Sequence, residues 1–310
     1  MNKENIYLKP LQIEEAVQMA HEHEKDFRFI AGGTDVMVNK FQGNDLTHCL
    51  IDITGMQEMK HITRYGKNLK IGAAVSLDEL MNNKEALTLL PWLKKTIGSI
   101  ATPVLRKTAT AGGNLLCENR CIYYNQSAWW REAAGNCLKC DGDICLATGG
   151  NKKCFSRFVS DLSVALISVN ASVEVIEYGS SYVTLLEDIY TGDGLKPHHF
   201  KKTSLIKTIN IPIQEETRLA FYKLRRRESM EFTSLSVAVS ADKSGKIRVV
   251  LGGIDPKPIV VDGTIKEEPG IIIQQALRKS RIVDNDVFSR DYRRQMIRVY
   301  IENAWKELGI

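Results

Sequence analysis

All of the chain's 7 cysteines except Cys49 fall between Cys117 and Cys154. The first residues, MNKENIYLKP, lack the apolar stretch of an export signal, and crowded cysteines in such a chain favour metal binding over structural disulfides. Spacing alone offers two sets of four ligands. Cys117 and Cys121 with Cys137 and Cys140 form two close pairs, the arrangement of a tetrahedral zinc ribbon. Cys121, Cys137, Cys145 and Cys154 are widely spread and suit a cluster held by a long loop. Spacing leans to the first set, and both stay open at this point.

The remainder reads as an ordinary globular chain: 310 residues, 44% hydrophobic and 25% charged, long enough for about two domains. The longest apolar-rich stretch, Leu162 to Ile176, is interrupted by Ser163, Ser168, Asn170, Ser172 and Glu174, so no membrane span is expected and a cytoplasmic location is. The excess of 42 basic over 37 acidic residues is mild, and no nucleic-acid motif accompanies it. Arg225, Arg226 and Arg227, the one dense basic run, read as a solvated turn.

Helical spacing from Leu11 to His23 (Ile13, Ala16, Val17, Ala20) precedes a short apolar run ending at Ile30, which Gly32 and Gly33 break before a stretch through Val38. Short β-type runs follow at Cys49 to Ile53 and Leu69 to Ala73. Ser76 before Asp78 and Glu79 has the form of a helix cap ahead of a pattern continuing toward Leu90. A helical stretch runs from Trp92 to Ile100, and a second glycine turn lies at Ala111 to Asn114, directly before the cysteine window. Past the window come a helix start at Asp161 and strands at Ser172 to Tyr178 and Leu205 to Ile211. Two period-2 runs, Ser234 to Ala241 and Lys246 to Leu251, then flank a hairpin turn. Helices over Ile271 to Ser280 and Arg290 to Leu308 end the chain. Strands followed by helices argue a separate α+β unit. The expected division is 1–212, with 117–155 as an inserted loop, and 213–310.

A glycine pair between strand and helix lets main-chain amides approach an anion, because no Cβ intervenes and the helix start adds positive dipole. Ala31-Gly32-Gly33-Thr34-Asp35 and Thr110-Ala111-Gly112-Gly113-Asn114 both have that form. Neither matches the dinucleotide fingerprint or the P-loop, and tight turns alone would also account for them.

Five segments in order make the reading specific: FIAGGTDVM from Phe29, TATAGGNLL about eighty residues later, SDL at Ser160, LIKTINIP at Leu205, and AFYKLRRRES around Lys223. Together they resemble the FAD-binding subunits of the molybdenum hydroxylase family, which includes xanthine dehydrogenase and carbon monoxide dehydrogenase flavoproteins. The resemblance spans nearly the whole chain. It implies an α+β fold: a two-part FAD-binding domain of the vanillyl-alcohol-oxidase (PCMH) type and a smaller C-terminal α+β domain with an antiparallel sheet. It also implies that Phe29, Ile30, Ala31, Gly32, Gly33, Thr34, Asp35 and Val36, with Thr110, Ala111, Gly112, Gly113 and Asn114, wrap the FAD diphosphate. Ile100, Asp161, Leu205 and Lys223 fall where the family lines the flavin or its tail.

The insert from Asn119 to Cys154 resembles the one that sets the β subunit of 4-hydroxybenzoyl-CoA reductase apart within that family. By that likeness Cys121, Cys137, Cys145 and Cys154 hold a 4Fe-4S cluster, and Cys117 and Cys140 stand by. Tyr123, Tyr124, Trp129 and Trp130 are expected to form the insert's own small core rather than a cover for the cluster. The implied activity is electron transfer from a ferredoxin-like donor, with substrate chemistry on partners: a molybdopterin-binding large subunit and a 2Fe-2S small subunit, in a heterotrimer that dimerises. Two other readings are a xanthine dehydrogenase-like subunit passing electrons to NAD, and a zinc-stabilised binding module.

Overall fold

The structure, a computed structural model, describes residues 4–214 and 217–310, so the ranges 1–212 and 213–310 each include residues outside the described ones. The first third alternates strand and helix. In order come β1 (Ile6–Leu8), α1 (Ile13–Glu22), β2 (Phe27–Ile30), α2 (Val36–Phe41) and β3 (Cys49–Asp52). These strands form a parallel sheet ordered β1-β3-β2, with Phe27 opposite Cys49 and Ile30 opposite Asp52. The face of α1 that reads apolar in sequence is the one buried, through Ile13, Ala16, Val17 and Ala20.

Next come β4 (Ile62–Tyr65) and β5 (Asn68–Gly72), then the helices α3 (Leu77–Asn82), α4 (Lys84–Leu89), α5 (Trp92–Gly98), α6 (Pro103–Arg106) and α7 (Ala111–Leu115). The cap expected at Ser76 is a full capping box: Glu79 N donates to Ser76 Oγ at 3.1 Å and Ser76 N to Glu79 Oε2 at 2.8 Å. The pattern toward Leu90 is two helices rather than one. Asn83 leaves helical geometry and its side chain accepts from Ala86 N at 2.8 Å, capping the second.

The cysteine segment contributes α8 (Ala128–Ala134), and the chain then resumes with α9 (Asp161–Ser168), β6 (Ser172–Glu177), β7 (Ser180–Leu185) and β8 (Leu205–Pro212). The second sheet is antiparallel and ordered β4-β5-β8-β6-β7, so its centre joins strands far apart in the chain. The last part is an antiparallel sheet of β9 (Arg218–Leu224), β10 (Leu235–Ala241), β11 (Lys246–Gly252) and β12 (Ile259–Thr264), followed by α10 (Pro269–Lys279) and α11 (Arg290–Leu308). The expected hairpin is β10–β11, with Ala241 opposite Ile247.

Strand β10 is buried on both faces. Leu235, Val237 and Val239 join the core beneath α10 and α11, whereas Ala238 joins the larger core that includes α9. Helix α9 is buried along its whole length and packs on β10 and β11, which seats its N-terminus, and with it Asp161, at the meeting of the two cores.

Candidate functional site

After β2 the chain turns through Ala31 to Asp35. A Cβ on Gly32 would stand 1.8 Å from the Thr108 carbonyl oxygen, so the turn lies directly against the backbone that leads into α7, and only glycine permits it. Gly33 takes the left-handed region at φ 69°. Phe29 is half-buried and packs edge-on against Phe27 at 5.2 Å, while Ile30 is buried. Ala31 to Val36 are all half-exposed, and the amides of Gly32, Gly33, Thr34 and Asp35 have no protein acceptor among the described residues. The Asp35 carboxylate is occupied elsewhere: it accepts from Glu118 N at 2.9 Å and pairs with Arg120.

The second turn has the same letters and a different bonding state. Ala111 N donates to Val75 O at 2.8 Å, Gly112 N to Ala73 O at 2.9 Å and Asn114 N to Thr110 O at 2.9 Å, while Gly113 N meets Thr110 Oγ1 at 3.1 Å. A Cβ on Gly112 would lie 2.6 Å from the Ala73 methyl, so its glycine serves close packing of α7 on β5. Amide donation, expected of both turns, is therefore open in the first and engaged in the second. Asn114 ties the second turn to α9, its Oδ1 accepting from Ser160 Oγ at 3.0 Å.

Beside the turns lies a buried ion pair. Lys223 Nζ, from β9, is 2.6 Å from Asp161 Oδ2 at the start of α9, with side chains only 5% and 4% exposed. The same Nζ donates to Ser99 O at 3.1 Å, as does Arg225 Nη1 at 3.0 Å, so Arg225 is not the solvated turn residue expected. Ile100 is buried in this loop, its carbonyl accepting from Arg106 Nη1 at 2.7 Å, and Ala101 is held at φ 50°. Asp161 Oδ1 is buried and has no hydrogen-bond partner among the described residues. Leu205 is buried at the start of β8, against which α7 packs. Ile100, Asp161 and Lys223 are thus gathered at one place, and Leu205 reaches it only through the sheet beneath α7.

The insert closes on itself at its neck. Arg120 N donates to Arg157 O at 2.9 Å and Arg157 N to Arg120 O at 2.7 Å, so the segment leaves and returns at one point. Inside it Cys121, Cys137, Cys145 and Cys154, all buried, line one small chamber. Each is held by a different piece of chain. Cys121 N donates to Asn125 Oδ1 at 3.0 Å, and Cys137 O accepts from Cys140 N at 2.7 Å and Gly142 N at 3.1 Å. Cys145 O accepts from Gly149 N at 2.7 Å, and Cys154 N reaches outside the insert to Asp193 Oδ1 at 3.0 Å.

Burial pushes the Cys121 thiol up to about 11, against the amides of Tyr123 and Tyr124, which point at its sulfur. The Cys140 thiol, helped by the amides of Lys139 and Cys140, draws Cys137 down to about 6. Amides aimed at thiol sulfurs suit thiolates that carry charge.

Cys117 does not line the chamber. Its thiol is pushed up to about 12 by burial and then by Asp161 and Glu118, beside the ion pair. The paired zinc set is therefore not assembled, and no group of three or more His, Cys, Asp or Glu among the described residues is placed to hold a single metal ion. The donor set, four buried cysteines lining one chamber, is of the thiolate type that iron-sulfur clusters take. Tyr123 and Tyr124 belong to the small apolar core of the insert but also line the chamber, so they do both things that the sequence reading set against each other, while Trp129, 76% exposed, and Trp130 stand outside that core.

Glu118 joins chamber and cradle, and nothing in the sequence singles it out. Its carboxylate pairs with Lys139, which lines the chamber, and with Arg28 Nη2 at 3.1 Å, while its amide holds Asp35. Burial opposes its charge, but Lys139 and Arg28 hold the carboxyl down at about 2.

Among the described residues no helix is long and apolar enough to cross a membrane. The family pattern for the FAD binding domain in molybdopterin dehydrogenase matches residues 2–214. The aldehyde oxidoreductase FAD-binding subunit PaoB of Escherichia coli (strain K12) is 31% identical over 241 residues, covering 74% of this chain and 76% of that one. The nicotinate dehydrogenase FAD-subunit of Eubacterium barkeri is 25% identical over 250 residues, covering 78% and 71%. In fold, the chain matches quinoline 2-oxidoreductase from Pseudomonas putida 86 with a TM-score of 0.76 over 99% of this chain and 98% of that one, at 16% identity.

Proposed function

The chain belongs to the family of FAD-binding domains in molybdopterin dehydrogenases, and from that premise we propose that it is the electron-transfer subunit of a molybdenum enzyme, carrying a 4Fe-4S cluster as well as FAD. The observation that carries the proposal is the chamber: four buried thiols from four separate stretches of chain, set beside a turn whose amides are open. When bound, FAD exchanges electrons singly or in pairs and the cluster one at a time, so a chain holding both couples one-electron to two-electron chemistry.

The amides of Gly32 to Asp35 serve the FAD diphosphate, which carries two negative charges. Gly112 and Gly113 bring α7 close enough to complete the wall, and Asn114 fixes it to α9. Lys223 holds a positive charge at the flavin end, oriented by Asp161 and by the carbonyl of Ser99. Ile100 supplies apolar lining that excludes water, and Leu205 backs the wall from β8 beneath α7. Cys121, Cys137, Cys145 and Cys154 are the cluster ligands, with Cys117 and Cys140 outside the set. In this reading residues 1–212 are the FAD-binding domain with the insert at 117–155, and 213–310 are the C-terminal domain.

Substrate chemistry then falls to a molybdopterin-binding partner, reached through a 2Fe-2S partner in a heterotrimer that dimerises. The finer reading is a 4-hydroxybenzoyl-CoA reductase-like complex fed by a ferredoxin-like donor. The second reading is a xanthine dehydrogenase-like subunit passing electrons to NAD, and the names of the relatives, an aldehyde oxidoreductase and a nicotinate dehydrogenase, are in keeping with its direction, oxidation of a substrate.

Anaerobic purification with flavin, iron and zinc counted on one sample tests the assignment. Flavin with four irons is expected, and zinc without iron overturns the cluster. In the assembled complex, Cys137→Ser with Cys145→Ser should keep FAD and lose ferredoxin-dependent turnover. Bleaching of the flavin by NADH would replace the finer reading with the second.

A further inference from the structure

Ser156 is 1% exposed, and its only neighbour for a side-chain hydrogen bond among the described residues is a sulfur. Ser156 Oγ stands 3.3 Å from Cys154 Sγ, and Ser156 N donates to the same sulfur at 3.4 Å. At that separation the two can share a hydrogen, with Cys154 Sγ the donor while it carries its proton. An iron-bound thiolate has no proton and can only accept, so the hydroxyl must turn and donate.

The surroundings prevent Ser156 from swinging aside. A Cβ on Gly194 would lie 2.0 Å from Ser156 Oγ and 2.9 Å from Cys154 Sγ, so the 193–194 backbone presses on both atoms. Gly194 N donates to Cys154 O at 2.9 Å, and Asn119 Nδ2 to Ser156 O at 3.1 Å. The sulfurs of Cys121 and Cys137 are approached by backbone amides, and that of Cys137 also by the Cys140 thiol. Among the described residues Cys154 is the one of the four whose sulfur meets a side-chain hydroxyl.

We infer that Ser156 is a positioning residue that raises the reduction potential of the cluster through its hydrogen bonds to Cys154. The inference rests on the assignment of Cys154 as a ligand. On reduction one electron enters from the external donor, no bond breaks, and the proton stays on Ser156 Oγ. The added negative charge is shared by the ligand sulfurs, where a donor that was already useful becomes stronger. Removing the hydroxyl leaves the amide bond and takes away the side-chain donor.

The test is an EPR-monitored titration of anaerobically purified protein with dithionite, on wild type and Ser156→Ala, with iron and flavin counted first. The expected result is unchanged iron and a lower midpoint, the reduction equilibrium moving by up to tenfold, or about 59 mV for one electron. An unchanged midpoint with full iron overturns the inference and leaves the ligand assignment standing, whereas wild type without iron overturns both. If Ser156→Ala fails to accumulate, pulsed EPR of reduced wild type in H2O and D2O decides: an exchangeable proton more strongly coupled than the amides supports the hydroxyl bond, and its absence removes it.

Discussion

The glycine cradle and the thiol chamber are neighbours joined through Glu118, yet they are held by different means. The cradle is backbone against backbone: Gly32 rests on Thr108, and Gly112 on Ala73, with sheets beneath both. The chamber is built of short loops around a three-residue buried core of Cys121, Tyr124 and Cys137. Its anchors come largely from outside, through Asp193 to Cys154 and Asn285 Nδ2 to Phe155 O at 2.6 Å. The difference teaches that the cradle takes its shape from the packing of regular elements, whereas the chamber, with so small a core, takes its shape from anchors elsewhere in the chain.

The comparison can be broken first at the ion pair behind the cradle. Asp161→Ala strands a buried Lys223 ammonium and should cost about 3–5 kcal/mol in urea unfolding of the flavin-free protein; a loss below 1 kcal/mol would mean that the cradle is not rigid. Gly32→Ala forces a methyl onto Thr108 O, with an expected cost of about 3 kcal/mol and protein isolated without flavin but with iron retained. The opposite pattern, Cys145→Ser with Cys154→Ser, should remove iron, leave flavin absorbance at the wild-type ratio, and open the insert to limited proteolysis.

Acid sharpens the link between the regions. Glu118 ionises in the folded protein at about 2, below its ordinary 4.5, so its stabilisation is complete above about pH 4.5 and is lost as pH falls toward 2. Glu118→Gln should flatten that limb of the unfolding midpoint against pH. The smallest effect belongs to Ser76→Ala, which removes the capping box of α3 but leaves the backbone pairing of Ser76 with Thr110 intact, and should cost about 1 kcal/mol with flavin and iron contents unchanged.

The local elements were legible because their signals are local. The apolar spacing of α1, the cap at Ser76, the β10–β11 hairpin and the start of α9 at Asp161 each depend on residues a few positions apart. Edge strands were not: β7 reads SSYVTL and is exposed along most of its length, and β4 is similar, so neither has the alternation that marks a strand with a buried face. The two glycine turns look equivalent as letters because nothing within five residues reveals that Ala73 and Val75 accept the amides of the second. The paired cysteine spacing pointed toward zinc, but α7 and the neck carry Cys117 to Asp161 and away from the other thiols. Glu118 and Lys139 gain their contacts only from parts of the chain distant in sequence, and so carried no signal of their own.

The mutual pairing of Arg120 and Arg157 has a practical corollary. A loop that departs and rejoins through two reciprocal backbone bonds starts and ends at one point: exchanging residues 121–156 for a short turn would keep the path of the scaffold while releasing the groups that now hold the loop, Asp193, Asn285 and the carbonyls of Gln42 and Gly43.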